Sequence, residues 1–261
     1  MQRGSHEKRE KIYIYGRHAL TEALNNAPQA VRKAFLSSEV NDPALRELLA
    51  TRNIQASAIK SREADHMVGA DTSHQGVIAI VDPSALLVEF DAFMQGLRPT
   101  ERTLLVLLDE LTDPHNVGAV IRSAAAFGAA GVLLPAHRQA PVTGAVVKAS
   151  AGMAFRVPIV SIGNVNLAVD RIKKENFSVY GLAMEGAKEL GEELFAAPTL
   201  FIIGNEGKGI REKTLERCDV TLRIPMDPRC ESLNASVSAG IALYAWSAMH
   251  KNEGSVRGIK T

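Results

Sequence analysis

Apolar positions along the chain follow two different rhythms and divide it near residue 100. From Thr103 the run LLVLLD is apolar at every position before its terminal aspartate, the pattern of a strand buried on both faces of a parallel sheet. Further strands are expected over 132–134, 157–160, 178–182, 200–203 and 221–224. Between them, apolar spacings of three and four predict helices over 117–127, 142–149, 164–175, 209–217 and 234–251. Strands alternating with helices in this way build an α/β domain with a parallel sheet covered on both faces. Such sheets bind ligands at the carboxyl ends of their strands.

The part before reads as a smaller α/β unit over residues 11–82. Residues Ile12–Tyr15 form a short strand, Gly16 a turn, and a helix starts at Ala19 with Leu20 and Leu24 on one face. Strands over 34–36, 55–59 and 76–81 and a helix over 44–50 complete it. Asn41 or Asp42 can cap that helix, and Pro43 suits its first turn. A unit this short fits a recognition module better than a catalytic fold. Residues 83–101, from Pro83 to Pro99, read as a linker with some helical content; 102–252 then form the larger domain, 1–10 a polar disordered leader and 253–261 a tail.

A length of 261 residues suits two modest domains, and 46% apolar with 23% charged residues is the balance of an ordinary folded chain. No apolar run approaches the roughly 18 residues needed to span a bilayer, and the charged start has no apolar segment behind it, so a cytoplasmic protein with no membrane partner is expected. A net charge of +1 gives no general attraction to phosphate backbones, and any nucleic-acid surface must be local. Lys8, Arg9, Lys11, Arg32, Lys33, Arg52, Lys60 and Arg62 do gather in the first quarter, although scattered charges equally make solvated helix faces. Cys218 and Cys230 lack the partners of a zinc site or a disulfide framework and read as plain thiols.

Three stretches at the ends of expected strands carry chemistry. The first runs from Glu110 to Ala124, ELTDPHNVGAVIRSA, with a helix expected to begin near Asn116, Gly118 at its mouth and Arg122 on its second turn. A helix N-terminus offers N–H groups to an anion such as an RNA phosphate, and Arg122 adds a planar guanidinium fork. Taken alone, Asn116 is equally an N-cap and Arg122 equally a member of a surface ion pair. The second, FIIGNEGKGI over 201–210, runs a buried strand into Gly204, Gly207 and Gly209 and then a helix, allowing a ligand close to backbone that carries no Cβ. Its order, GxxGxG, is neither the dinucleotide fingerprint nor a P-loop, and a tight turn accounts for it equally well. Glu206 inside that turn can fix loop N–H groups or an arginine. The third, IPMDPRCESLNASVSAG over 224–240, is a loop entering the last helix, with Ser232 or Asn234 as its cap and small residues from Ala235 onward that permit close helix packing.

Together the three stretches resemble the three motifs of the SpoU/TrmH family of RNA 2′-O-methyltransferases, within the knotted SPOUT class, over essentially all of 103–250. The signatures are Asn116-x-Gly118…Arg122-Ser-Ala124, Gly204-x-Glu206-x-x-Gly209-Ile210, and Ile224-Pro225-Met226…Ser232-Leu233-Asn234-x-Ser236. In the front unit, Tyr15-Gly16-Arg17-His18-Ala19-Leu20-x-Glu22-Ala23-Leu24 and His74-Gln75-Gly76 resemble the ribosomal-protein-like RNA-binding domain of the branch that methylates a guanosine of large-subunit rRNA. Many relatives carry a glycine and a valine where this chain has Pro228 and Cys230.

The resemblance implies a trefoil knot in the C-terminal part of the sheet, a rare exception to the unknotted rule. It implies S-adenosyl-L-methionine as donor, held bent by backbone groups of Gly204, Ile224 and Leu233, with no metal. It assigns the acceptor hydroxyl to Arg122. Because an arginine guanidinium gives up its proton only above about pH 12, its expected task is to bind the phosphate beside the target and polarise the hydroxyl rather than act as a free base. Asn116, Glu206, Ser232 and Asn234 complete the implied site, and the family implies a homodimer acting on structured RNA. Open alternatives are a tRNA acceptor, an antibiotic-resistance adenosine, and a non-catalytic RNA-binding ribosome assembly factor on the same fold. A nicotinamide-dependent dehydrogenase fits poorly, lacking the glycine order and the acidic residue that follows it.

Overall fold

The computed structural model describes residues 11–69 and 72–250; the expected leader with Lys8 and Arg9, and the expected tail, lie outside the described residues. The chain divides into two compact units. One gathers the chain up to Val88 with Asp113–Arg122 and Ala140–Ile159; the other gathers Glu89–Thr112, Ser123–Gln139 and the chain from Val160 onward. The chain runs β1 (Ile12–Tyr15), α1 (Arg17–Asn26), β2 (Val31–Ser37), α2 (Pro43–Thr51), β3 (Ala56–Ile59), α3 (Ser61–Val68) and β4 (Val77–Val81). It continues through β5 (Leu87–Glu89), α4 (Phe90–Gly96), β6 (Leu104–Asp109), α5 (Pro114–Ala126), β7 (Gly131–Pro135), α6 (Gly144–Ala149), β8 (Ile159–Ile162) and α7 (Val165–Lys173). Last come β9 (Ser178–Leu182), β10 (Lys188–Glu189), β11 (Thr199–Gly204), α8 (Glu212–Leu215), β12 (Val220–Arg223) and α9 (Ala235–Met249).

In the first unit the sheet order is β1-β4-β2-β3, with β4 antiparallel to both neighbours and β2 parallel to β3. Helix α1 buries Ala19, Leu20, Ala23 and Leu24, the face its spacing predicts. Glu22 is buried beside them, and the Arg156 guanidinium donates to it at 2.5 and 2.7 Å, which holds its pKa below the ordinary carboxylate range. Helix α2 is capped by Asp42, whose carboxylate accepts from the Leu45 amide at 3.0 Å, with Pro43 in the first turn. Helix α3 is an element the apolar pattern does not announce. Its sequence SREADHMV offers too few apolar positions to show a period, and its start is instead marked by the Glu63 carboxylate accepting from the Lys60 amide at 3.2 Å.

Arg32, one of the gathered basic residues, is committed to the fold. It pairs with Asp82, which is 4% exposed and also accepts from the Ser84 hydroxyl at 2.5 Å and the Ser84 amide at 3.1 Å. The Ser84 hydroxyl first, then the Arg32 guanidinium, hold the Asp82 carboxyl at about 2 against an ordinary value of 3.8. A value lower in the folded than in the unfolded chain gives stability that is complete above the unfolded value and drains away as pH falls through the folded one. Asp82→Asn is therefore expected to lower the unfolding free energy by about 1–2 kcal/mol at pH 7 and by little at pH 2, as read by urea denaturation. An equal loss at both pH values would place the effect in packing rather than charge.

In the second unit the strands lie in the order β10-β12-β9-β11-β6-β7-β8, and the neighbours from β10 to β7 run parallel. Every residue of β6, β7 and β11 is buried, as continuous apolar runs require. On one face Leu105, Leu107, Leu200 and Ile202 pack with Val165, Val169 and Ile172 of α7.

Several expected boundaries move, three of them for a reason local to the chain. Helix α5 starts at Pro114 rather than near Asn116: the Asp113 carboxylate accepts from the His115 amide at 2.8 Å, and proline fits a first turn whose N–H has no partner. Asn116 therefore sits inside the first turn, 7% exposed. Strand β8 starts at Ile159, past Pro158, which cannot donate to a ladder. The helix expected over 209–217 shrinks to α8, because Gly209 is drawn into a backbone bridge with Asn205, donating at 2.9 Å and accepting at 3.0 Å.

Candidate active site

A cavity of about 540 Å³, inside the range of small-ligand sites, opens where β9, β11 and β12 end. Leu182, Gly204 and Leu222 line it from the three strand ends, and Ile224, Met226, Ser232 and Leu233 line it from the loop that leads into α9. This is where a parallel sheet is expected to receive a ligand. The structure thus brings Gly204, Glu206, Ile224, Ser232 and Leu233 to one cavity. Asn234 is the cap of α9 instead, its side-chain oxygen accepting from the Ser236 amide at 2.8 Å and the Val237 amide at 3.3 Å. Asn116 and exposed Arg122 lie on the part of α5 that belongs to the first unit, whereas every residue lining the cavity belongs to the second.

Gly204 is required by close approach. A Cβ there would stand 2.2 Å from the Ile210 amide nitrogen and 2.3 Å from the Gly209 carbonyl carbon, so the chain can fold back on itself only at a glycine. The turn is organised by Asn205, the unspecified position of the Gly204-x-Glu206 signature. Its side-chain oxygen accepts from the amides of Gly207 at 3.0 Å and Lys208 at 3.1 Å, and its amide group donates to the Glu110 carbonyl at 2.8 Å. An asparagine two residues before a glycine is the signal for such a turn. The Glu206 carboxylate accepts from the Thr112 backbone amide at 3.4 Å and the Asn205 side-chain amide at 3.3 Å, so it ties the glycine loop to the segment that follows β6.

Arg211, one residue past that signature, closes the loop. Its guanidinium donates to Asp109 at 2.6 and 2.9 Å and to Glu110 at 3.0 Å, and Asp109 holds its pKa above the ordinary arginine value. A fully buried aspartate ending an apolar strand demands such a cation. In the α9 entry loop, Arg229 makes a two-pronged pair with Asp227 at 2.9 Å. Burial pushes the Cys218 thiol up to about 12, so it stays protonated at neutral pH, while Cys230 is exposed. Among the described residues there is no cluster of three or more His, Cys, Asp or Glu placed to hold a metal, and no helix long and apolar enough to cross a membrane.

Residues 103–244 match the model of the SpoU rRNA Methylase family. The chain belongs to that family. A second model, RNA 2′-O ribose methyltransferase substrate binding, matches residues 13–87 ahead of the SpoU region. The chain is 38% identical over 236 residues to the 23S rRNA (guanosine-2′-O-)-methyltransferase RlmB of Pseudomonas syringae pv. tomato, covering 88% of this chain and 93% of that SpoU relative. A putative TrmH family tRNA/rRNA methyltransferase of Staphylococcus haemolyticus is 31% identical, covering 90% of this chain and 94% of its own. Among solved structures, the SpoU methyltransferase AviRb of Streptomyces viridochromogenes, in complex with AdoMet, superposes with a TM-score of 0.79 at 26% identity, covering 92% of this chain and 90% of that one.

The SpoU cavity described above suits an adenosyl donor. Apolar walls from Leu182, Ile203, Ile210, Leu222 and Ile224 offer a slot for a flat base, and Glu206 and Glu231 bring carboxylates to its lining for a cationic end.

Proposed function

We propose that this chain transfers a methyl group from S-adenosyl-L-methionine to the ribose 2′-hydroxyl of a guanosine in 23S rRNA. The observation that carries the reading is the meeting of Gly204, Ile224 and Leu233 in one cavity at the carboxyl ends of parallel strands, in a chain of the SpoU family. When bound, the donor supplies an electrophilic methyl on a sulfonium, so the chain's own work is positioning. Backbone groups of Gly204, Ile224 and Leu233 hold the adenosyl part. Arg122 grips the phosphate beside the target and donates to the 2′-oxygen, aiming its lone pair and making its proton more acidic, so that the proton passes to water as the oxygen takes the methyl. Glu206, held to Thr112 and Asn205, keeps the glycine loop shaped, Asn234 sets the entry of α9 with Ser232 beside it, and Asn116 secures the first turn of α5.

On the same reading, residues 11–82 bind RNA, 83–101 link, and 102–252 methylate, with the C-terminal part of the sheet threaded as a trefoil knot. A homodimer is part of the proposal. It is supported by the face of α9 on which Val237, Ile241 and Tyr244, spaced by four and three residues, are 48%, 36% and 63% exposed. A cytoplasmic site of action follows from an rRNA substrate. The decisive experiment maps ribose methylation across total RNA from cells with and without the gene. One guanosine of 23S rRNA is expected to lose its methyl in the deletion; a lost methyl confined to tRNA, or none lost at all, overturns the proposal.

A further inference from the structure

A second hollow, of about 180 Å³, opens at the carboxyl ends of β6, β7 and β8. It holds about six waters' share of liquid volume, room for a single nucleobase. It shares a wall with the donor cavity: Ile210 lines the cavity, Arg211 lines the hollow, and the Asn205 amide group donates to the Glu110 carbonyl between them. Two of its lining residues, Glu110 and Arg138, have left-handed backbones with φ of 65° and 57°. Side chains other than asparagine and aspartate seldom adopt that conformation, and where the surroundings impose it, it concentrates at ligand sites.

Charge defines what the hollow can take. Arg211 is spent on Asp109 and Glu110, while Arg138, 78% exposed, reaches the same Glu110 oxygen only at 3.7 Å. Two guanidinium groups thus face two carboxylates, and the hollow is polar but close to neutral. A phosphate gains little from such a place; a neutral ligand with its own donors and acceptors gains more. The carboxylate of Glu110 is acceptor-only and Arg138 is donor-only. Among the common nucleobases, guanine alone sets two N–H donors, N1 and N2, side by side, and its O6 and N7 form the acceptor pair that arginine reads.

We propose that this hollow is the subsite for the guanine base of the nucleoside that is methylated, with Glu110 accepting from N1 and N2 and Arg138 donating to O6 and N7. The inference rests on the methyltransferase reading above and adds to it the residues that select the base. The test uses the full-length protein and a 23S rRNA transcript containing the mapped target, with either guanosine or inosine, which lacks the N2 amino group, at that position. For the wild type, inosine is expected to lower kcat/KM by about 10- to 100-fold. Glu110→Gln is expected to bring the guanosine transcript down to the same level and to treat the two RNAs alike, with donor affinity unchanged. Arg138→Ala is expected to slow both RNAs by a common factor.

If the wild type methylates both transcripts at one rate, or Glu110→Gln still discriminates, the subsite assignment is wrong while methyl transfer stands. If the wild type leaves the guanosine transcript unmethylated, the methyltransferase reading falls and this one with it. Because the wild-type comparison alone can overturn the proposal, a Glu110 variant that fails to fold does not protect it.

Discussion

Gly204→Ala is expected to lower the affinity for S-adenosylmethionine at least about 100-fold, roughly 2.7 kcal/mol, and to reduce methyl transfer with it. The added methyl would lie 2.2 Å from the Ile210 nitrogen and 2.3 Å from the Gly209 carbonyl carbon, both backbone atoms that no side-chain rotation can move aside. The loop itself would have to retreat, and it is held at both ends. Asn205 and Gly209 exchange backbone hydrogen bonds, and Arg211 is locked to buried Asp109 by its amide at 3.2 Å as well as by its guanidinium. The strain is expected to cost about 1–3 kcal/mol of stability, as overpacking does. Calorimetric titration of the donor and a thermal melt of the ligand-free protein separate the two effects. A variant that binds the donor within a few-fold of wild type would show that the glycine loop is not part of the donor site.

The elements legible in the sequence are those whose signal is local and strong. LLVLLD and TLFIIG are apolar over nearly their whole length because both faces of β6 and β11 are covered, and that needs no tertiary information to read. The glycines of 204–209 are legible as a loop for the same reason, although not as a particular loop. What escaped depends on partners distant in sequence. Arg211 is visible as functional only once Asp109 is known to be fully buried, a pairing across 102 residues. Asn205 reads as one more loop residue until its amide group is found on the Glu110 carbonyl, 95 residues away. The left-handed backbones of Glu110 and Arg138 run against residue preference, so local rules predict the opposite. Such conflicts between local preference and the folded chain gather where a site imposes them.

Arg122→Ala is expected to remove methyl transfer, by about 10²–10³-fold or more, while leaving donor affinity within about two-fold of wild type. Two observations set that split. The side chain is exposed on α5, so its loss is expected to change stability by no more than about 0.5 kcal/mol. It is also absent from the residues that line the donor cavity, so nothing that holds the donor is taken away. Arg122→Lys tests how the charge is used. A lysine keeps the positive charge but not the planar fork that can hold a phosphate and a hydroxyl together, so it is expected to recover RNA binding more than turnover. Single-turnover rates at saturating RNA, alongside donor titration, resolve these outcomes. Near wild-type turnover in the alanine variant would falsify the acceptor role. A loss of donor affinity with turnover would move Arg122 from the acceptor to the donor side of the reaction, because a group that steers only the hydroxyl has no means of weakening the binding of the methyl donor.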